Sequence, residues 1–194
     1  MKSPPCIVLS LAAAVLVAAE LQGQSAQAIS LQVSGLYHGS VFDAMRSGYG
    51  GEAQLRYTPG ALSVGTGFQY TTHEWDVGVE DIRLYGGFLE PRYRIHTGSN
   101  VIAPYVSARL SYLKIGFSGG DLSLDSSVIQ VNGGGGLLYR LGSRLNLDVG
   151  ATFGYNRLES GTFTRESTGG SLPVESSDGS NLVIRLGFAV GLGG

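Results

Sequence analysis

The sequence predicts an all-β chain, folded as an eight-stranded antiparallel up-and-down β-barrel that crosses a membrane. Three observations carry this. Apolar and polar residues alternate with period two over eight segments, which places one face of each segment in grease and the other in a polar space. The segments are joined in turn by short turns and longer polar loops, the rhythm of a barrel with its loops at one end. No apolar run reaches about 18 residues, so a membrane helix is excluded, yet mean hydropathy is slightly positive.

The N-terminus has a separate logic. Lys2 precedes a small-residue apolar run from Ile7 to Ala19, and Ala26-Gln27-Ala28 supplies a small-x-small cleavage pattern. Residues 1–28 are therefore expected to be a cleaved signal peptide, and residues 29–194 the barrel domain. Cys6 lies within the signal, so the mature chain has no thiol for disulfides, nucleophilic catalysis or metal binding. A formal net charge of -2 provides no basic footprint for nucleic acid.

The first strand is predicted over residues 30–42, with Leu31, Val33 and Tyr37 opposed to Gln32, Ser34 and His38. The second covers 49–58 and the third 61–72. Pro59-Gly60 turns between them, proline presetting one dihedral and glycine supplying a positive one. The fourth, 81–96, places Tyr85, Leu89, Pro91 and Tyr93 outside, with a bulge or local break expected at Pro91, which has no N–H to donate. The fifth covers 101–117 after a turn at Gly98, and the sixth 127–140. Gly142-Ser143 turn into the seventh, 144–158. The eighth covers 181–192. Longer loops are expected at 43–48, 73–80, 118–126 and 159–180.

An arginine or lysine facing lipid near the midplane costs roughly 2–4 kcal/mol. The charges share the polar faces: Glu52, Arg56, Glu90, Arg92, Arg109, Asp148 and Arg185. With four guanidiniums against three carboxylates, an interior salt-bridge network is expected. An eight-stranded barrel has interior enough only for side chains, and inward glycines make room for long ones, so the lumen should be plugged. Tyr57, Tyr93 and Tyr139 fall toward the short turns. Tyr37, Tyr49, Tyr70, Tyr112 and Tyr155 fall toward the long loops. Together they predict two aromatic belts at the lipid–water boundaries.

Together with the signal and the strand–turn–strand–loop cadence, Phe88-Leu89-Glu90-Pro91-Arg92-Tyr93 and Leu147-Asp148-Val149-Gly150-Ala151 resemble the small eight-stranded outer-membrane proteins of the OmpX and OmpA-barrel type. The resemblance implies short periplasmic turns, longer extracellular loops, contact with outer-membrane lipid and lipopolysaccharide, and passage through the outer-membrane assembly machinery. Such proteins usually finish on an aromatic residue; this sequence finishes Leu192-Gly193-Gly194, with Phe188 as a substitute.

Candidate chemistry is sparse. His38-Gly39-Ser40 resembles the His-x-Ser arrangement of outer-membrane lipid A deacylases, but it lies on the polar face, where a hydrogen-bonded pair is the simpler role. His73, Glu74 and Asp76 beside Trp75, and Asp121 with Asp125, could hold divalent cations on loops; their spacing fits no calcium loop. Glu52 and Glu90 could form an acid–base pair, but arginine neighbours favour salt bridges. The glycine run from Gly133 to Gly136 lacks the helix a phosphate loop needs and reads as interior space. No catalytic residue, cofactor or metal is expected. The functional expectation is a non-enzymatic outer-membrane barrel whose loops, above all the segment from Glu159 to Ser180, meet a surface partner. The alternatives are a deacylase-like enzyme using His38 and Ser40, and a secreted lipocalin-type barrel of reversed polarity.

Overall fold

The computed structural model describes residues 29–39, 45–75, 81–117, 122–165, 167 and 169–192. The expected signal peptide, Ser40, Asp76 and Asp121 lie outside these. Among the described residues there are eleven strands and no helix: β1 Ile29–His38, β2 Met45–Tyr57, β3 Leu62–Trp75, β4 Ile82–Arg94, β5 Ile102–Phe117, β6 Leu122–Asp125, β7 Ser127–Arg140, β8 Leu145–Leu158, β9 Gly161–Arg165, β10 Gly170–Val174 and β11 Ser177–Leu192. Eight of them close a barrel in the order β1-β11-β8-β7-β5-β4-β3-β2, antiparallel throughout. Closure leaves this sheet no free edge.

The period-two pattern sets the faces. In β2, Glu52, Gln54 and Arg56 are buried, while Leu55 and Tyr57 between and beyond them are about half exposed. The same division holds in β8, where Asp148 and Thr152 point inward and Val149 and Phe153 outward. A one-residue slip would turn all these charges outward, so the charge pattern itself fixes the register.

Several boundaries differ from the sequence reading. β2 begins at Met45, β3 runs on to Trp75 and β11 begins at Ser177. His73 is therefore a strand residue buried in the barrel, and not part of a loop cluster with Glu74. The segments expected as the loops 118–126 and 159–180 contain β6, β9 and β10, which form a separate three-stranded sheet in the order β10-β9-β6. These strands are four or five residues long, too short for alternation to stand out, and Pro173 interrupts the pattern of β10.

One turn detail also differs. Gly60 does not take the positive dihedral; Gly98 does, at φ 75°. The connection around Pro59-Gly60 runs through four residues between Tyr57 and Leu62, long enough to reverse without a left-handed residue. At Pro91 the expected local break is present, without a bulge. The β4–β5 register is the same on both sides, Leu89 opposite Leu110 and Arg92 opposite Ser107, and only the pairing of residues 90 and 91 is interrupted. The ladder loses a donor there without gaining a residue.

Candidate functional site: the filled lumen

Among the described residues, chemistry is concentrated in the barrel interior, and Glu90 of β4 is its centre. Its side chain is fully buried and meets the four buried arginines. Arg92 Nε lies 2.5 Å from Oε1 and Arg56 Nη2 3.3 Å from the same oxygen. Arg109 Nη2 lies 2.6 Å from Oε2, and Arg185 Nη1 2.8 Å from it. Arg109 also reaches Glu52 Oε2 at 2.7 Å, and Arg185 reaches Glu52 Oε1 at 3.5 Å. Arg92 Nη1 pairs with Asp148 Oδ2 at 2.8 Å. All seven charged residues named from the sequence thus meet in one cluster spanning β2, β4, β5, β8 and β11.

Neutral groups complete the coordination. Tyr105 donates its hydroxyl to Asp148 at 2.6 Å, accepts from Arg185 Nη2 at 3.2 Å, and lies with its ring 4.4 Å from the Arg92 guanidinium. Gln32 of β1 donates to Asp148 at 2.6 Å. Gln54 and Ser63 accept from Arg56. The Phe88 ring sits 3.9 Å under the Arg109 guanidinium. Buried charges persist only when paired, and every member of this set has an ion-pair partner, although Glu52 Oε1, Arg56 Nε, Arg92 Nη2 and Arg185 Nε make no hydrogen bond.

Glycines supply the space. A Cβ on Gly65 would lie 2.6 Å from Arg56 Nη2, and one on Gly150 would lie 2.5 Å from the Tyr105 hydroxyl and 3.1 Å from Arg185. Gly136 faces the same tyrosine. In the glycine run of β7, Gly136 therefore makes room for Tyr105 and Gly134 lets the backbone of Ala151 and Thr152 approach; the run is strand and not a phosphate loop.

Toward the long-loop end the filling changes character. Asn181 bridges Asn132 and Asn156 through its amide group. Beyond them His38 and His73 meet edge to face, ring centroids 5.1 Å apart. His73 Nδ1 donates to the Arg46 carbonyl and Nε2 accepts from Thr71, each at 3.0 Å. His38, the candidate nucleophile partner, is 1% exposed and packs against His73 and Gln130 inside the barrel. Beside this pair, Met45, Ile82, Leu84, Leu113 and Val128 form an apolar cluster on the inner face, with Ile115 and Leu158 against it. The expected all-polar interior is corrected here: the lumen is charged in the middle and greasy near its long-loop end. Sequence reasoning missed this cluster. Its signal was the inward parity of Leu84 and Leu113.

The outer wall is the inverse. Leu55, Val64, Phe68, Leu89, Val106, Leu110, Val131, Val149, Phe153 and Leu186 are each 40–63% exposed around the circumference. Tyr57, Tyr93 and Tyr139 stand outward near the short turns. Tyr49, Tyr70, Tyr112 and Tyr155 stand outward nearer the long loops, and Tyr37, half-buried, meets Tyr49 in a tilted contact with ring centroids 5.3 Å apart.

No protein-family model matches the chain. No curated protein matches it. Solved structures do. Neisserial surface protein A is similar with a TM-score of 0.62 at 17% identity, over 87% of this chain and 100% of that one. The outer membrane protein OprG from Pseudomonas aeruginosa is similar with a TM-score of 0.56 at 13% identity, over 88% of this chain and 98% of that one. The chain has the closed eight-stranded fold of the small outer-membrane barrels.

Proposed function

We propose that this protein is a non-enzymatic, integral outer-membrane barrel whose purpose is to hold its long-loop end at the cell surface. The carrying observation is the double inversion of polarity: an apolar outer wall around a lumen closed by the Glu90 cluster and the apolar cluster above it. Large exposed apolar surface on a folded protein calls for an apolar partner, and here it runs around the whole barrel. A soluble lipocalin-type barrel would need the reverse arrangement.

Lipopolysaccharide and outer-membrane lipid are the partners this wall fits. Arg83, Lys114 and Arg157 face outward two residues beyond Tyr85, Tyr112 and Tyr155, on the long-loop side of each. Cations just outside an aromatic belt suit anionic headgroups. The His38 environment favours the non-enzymatic reading, since an acyl chain in the bilayer would meet the opposite face of β1.

The sheet β10-β9-β6 is the element suited to contact a surface molecule, because it stands apart from the barrel's ladders on a rigid base. The test is cell fractionation with protease accessibility, comparing the full protein with a variant in which residues 161–174 are replaced by a short turn. The expected result is outer-membrane recovery and heat-modifiable gel mobility in both, with surface cleavage and any adhesion lost in the variant. Recovery in the soluble periplasmic fraction would refute the reading.

A further inference from the structure

The short-turn mouth of the barrel has its own cavity, about 510 Å3, open at that end and closed inward by the Glu90 cluster. Arg94, Arg140, Arg144 and His96 line its walls, and Arg56 and Arg92 line its floor; no aspartate or glutamate is among its described lining residues. Chain parity explains why these side chains converge. Arg94 continues the inward series Glu90, Arg92 on β4. Arg140 continues Gly134, Gly136 on β7, and Arg144 precedes Asn146 and Asp148 at the start of β8. All of them belong to the lumen side of the wall and not to the lipid side.

The charges are separated along the axis. The three interior carboxylates, Glu52, Glu90 and Asp148, are engaged deeper in the barrel, while among the described residues the charged side chains at the mouth are guanidiniums, with His96 beside them. The floor is nine-tenths buried, with Arg56 6% and Arg92 2% exposed, yet Arg56 Nε and Arg92 Nη2 have no hydrogen-bond partner. Buried N–H groups without acceptors are costly and uncommon in a folded protein. At the rim, Arg94 is held in place by donating to the Gly60 carbonyl at 2.6 Å.

We propose that this vestibule binds a multiply charged oxyanion of the phosphate class. Guanidiniums arriving from β2, β4, β7 and the start of β8 surround the space from several directions. A tetrahedral oxyanion presents oxygens in several directions, whereas a planar monocarboxylate engages one fork. The site is blind, so it holds the anion and does not conduct it. The inference stands on the barrel geometry alone and is independent of what the long-loop end contacts.

The test uses the full-length refolded barrel in a neutral detergent, titrated calorimetrically with pyrophosphate at low ionic strength. One saturable site is expected, weakening at about 0.15 M salt as screening sets in. An Arg94→Gln/Arg140→Gln variant should bind at least about tenfold more weakly, the loss of a charge-assisted hydrogen bond. Arg46→Gln, at an exposed side chain near the long-loop end, should bind as the parent does. Neither rim arginine joins the Glu90 ion pairs, and retained heat-modifiable mobility would show that the variant folds. If the double variant does not fold, the single Arg140→Gln, at an exposed side chain, carries the same comparison. Repeating the titration in phosphatidylglycerol and phosphatidylcholine nanodiscs separates the sources. Equal affinity in both means a free phosphate compound is the ligand, and competition confined to phosphatidylglycerol means a headgroup occupies the site. Absence of saturable binding to the parent protein, or an equal loss in Arg46→Gln, would overturn the proposal.

Discussion

The two halves of the lumen are filled by opposite means. Toward the short turns, charged side chains are packed at hydrogen-bond distance around one carboxylate. Toward the long loops, amides and imidazoles give way to methionine, leucine, isoleucine and valine. Both fillings exclude water, but they respond differently to damage. An ion-pair cluster depends on every partner being present, since a removed partner leaves an uncompensated buried charge. An apolar cluster loses contact area in proportion to what is removed. The charged half therefore specifies the strand register and the apolar half adds stability with little specificity.

Glu90→Ala should produce the largest effect. It strands four guanidiniums with Glu52 and Asp148 alone, and removing one partner from a buried pair costs about 3–5 kcal/mol. Urea unfolding in lipid vesicles should show the midpoint falling accordingly. Unchanged stability would mean that water or counterions already enter the charged half, and the contrast between halves would fail.

Leu113→Ala tests the other half. Leu113 is fully buried and sits opposite Val128. Truncation should cost about 2–3 kcal/mol, the lower part of the range for a buried leucine. Its distance from the charged cluster makes it additive with Glu90→Ala. The double variant, measured in the same unfolding assay, would expose any coupling as a departure from the summed costs.

The contrast itself was only half legible in the sequence. Parity identified every member of the charged cluster, because a charge announces its face. Parity says nothing about height along the barrel, so it could not show that Tyr105 would meet Asp148 across 43 positions of sequence. Leu84 and Leu113 stayed hidden for a different reason. Leucine is at home on either face, and the inward set was recognised by its polar members. In sequence His73 looks like a loop residue because Thr71, Thr72 and Glu74 around it are all polar, so no apolar beat marks the strand's continuation. The external sheet escaped because β9 and β10 are five residues each, too short for alternation to stand out.

Gly150→Ala should fall next. The added methyl would press on the Tyr105 hydroxyl and approach Arg185. Crowding of this kind typically costs about 1–3 kcal/mol. Here the cost should lie near 1 kcal/mol if the tyrosine tilts, and near the top of that range if its bond to Asp148 holds it in place. Tyr105→Phe in the Gly150→Ala background distinguishes these. Removing the hydroxyl relieves the clash, so the double variant should recover part of the single variant's loss in the urea assay. No recovery would show that the crowding falls on Arg185 instead.

The smallest effect belongs to an ion pair outside the lumen. Arg46 and Glu74 approach to 3.7 Å on the barrel's exterior, with side chains 63% and 74% exposed. In water such a pair gains little Coulomb energy and spends side-chain entropy, so Glu74→Gln should change stability by less than about 1 kcal/mol. The pair spans the same β2–β3 register that aligns Met45 with Trp75, at the irregular step between Met45 and Gly48. Unlike Glu90, Glu74 can exchange its arginine for solvent when the pair is broken. The same chemistry, carboxylate to guanidinium, should therefore differ severalfold in worth between lumen and surface, and equal losses for Glu74→Gln and Glu90→Gln would show that burial is not what gives the interior cluster its weight.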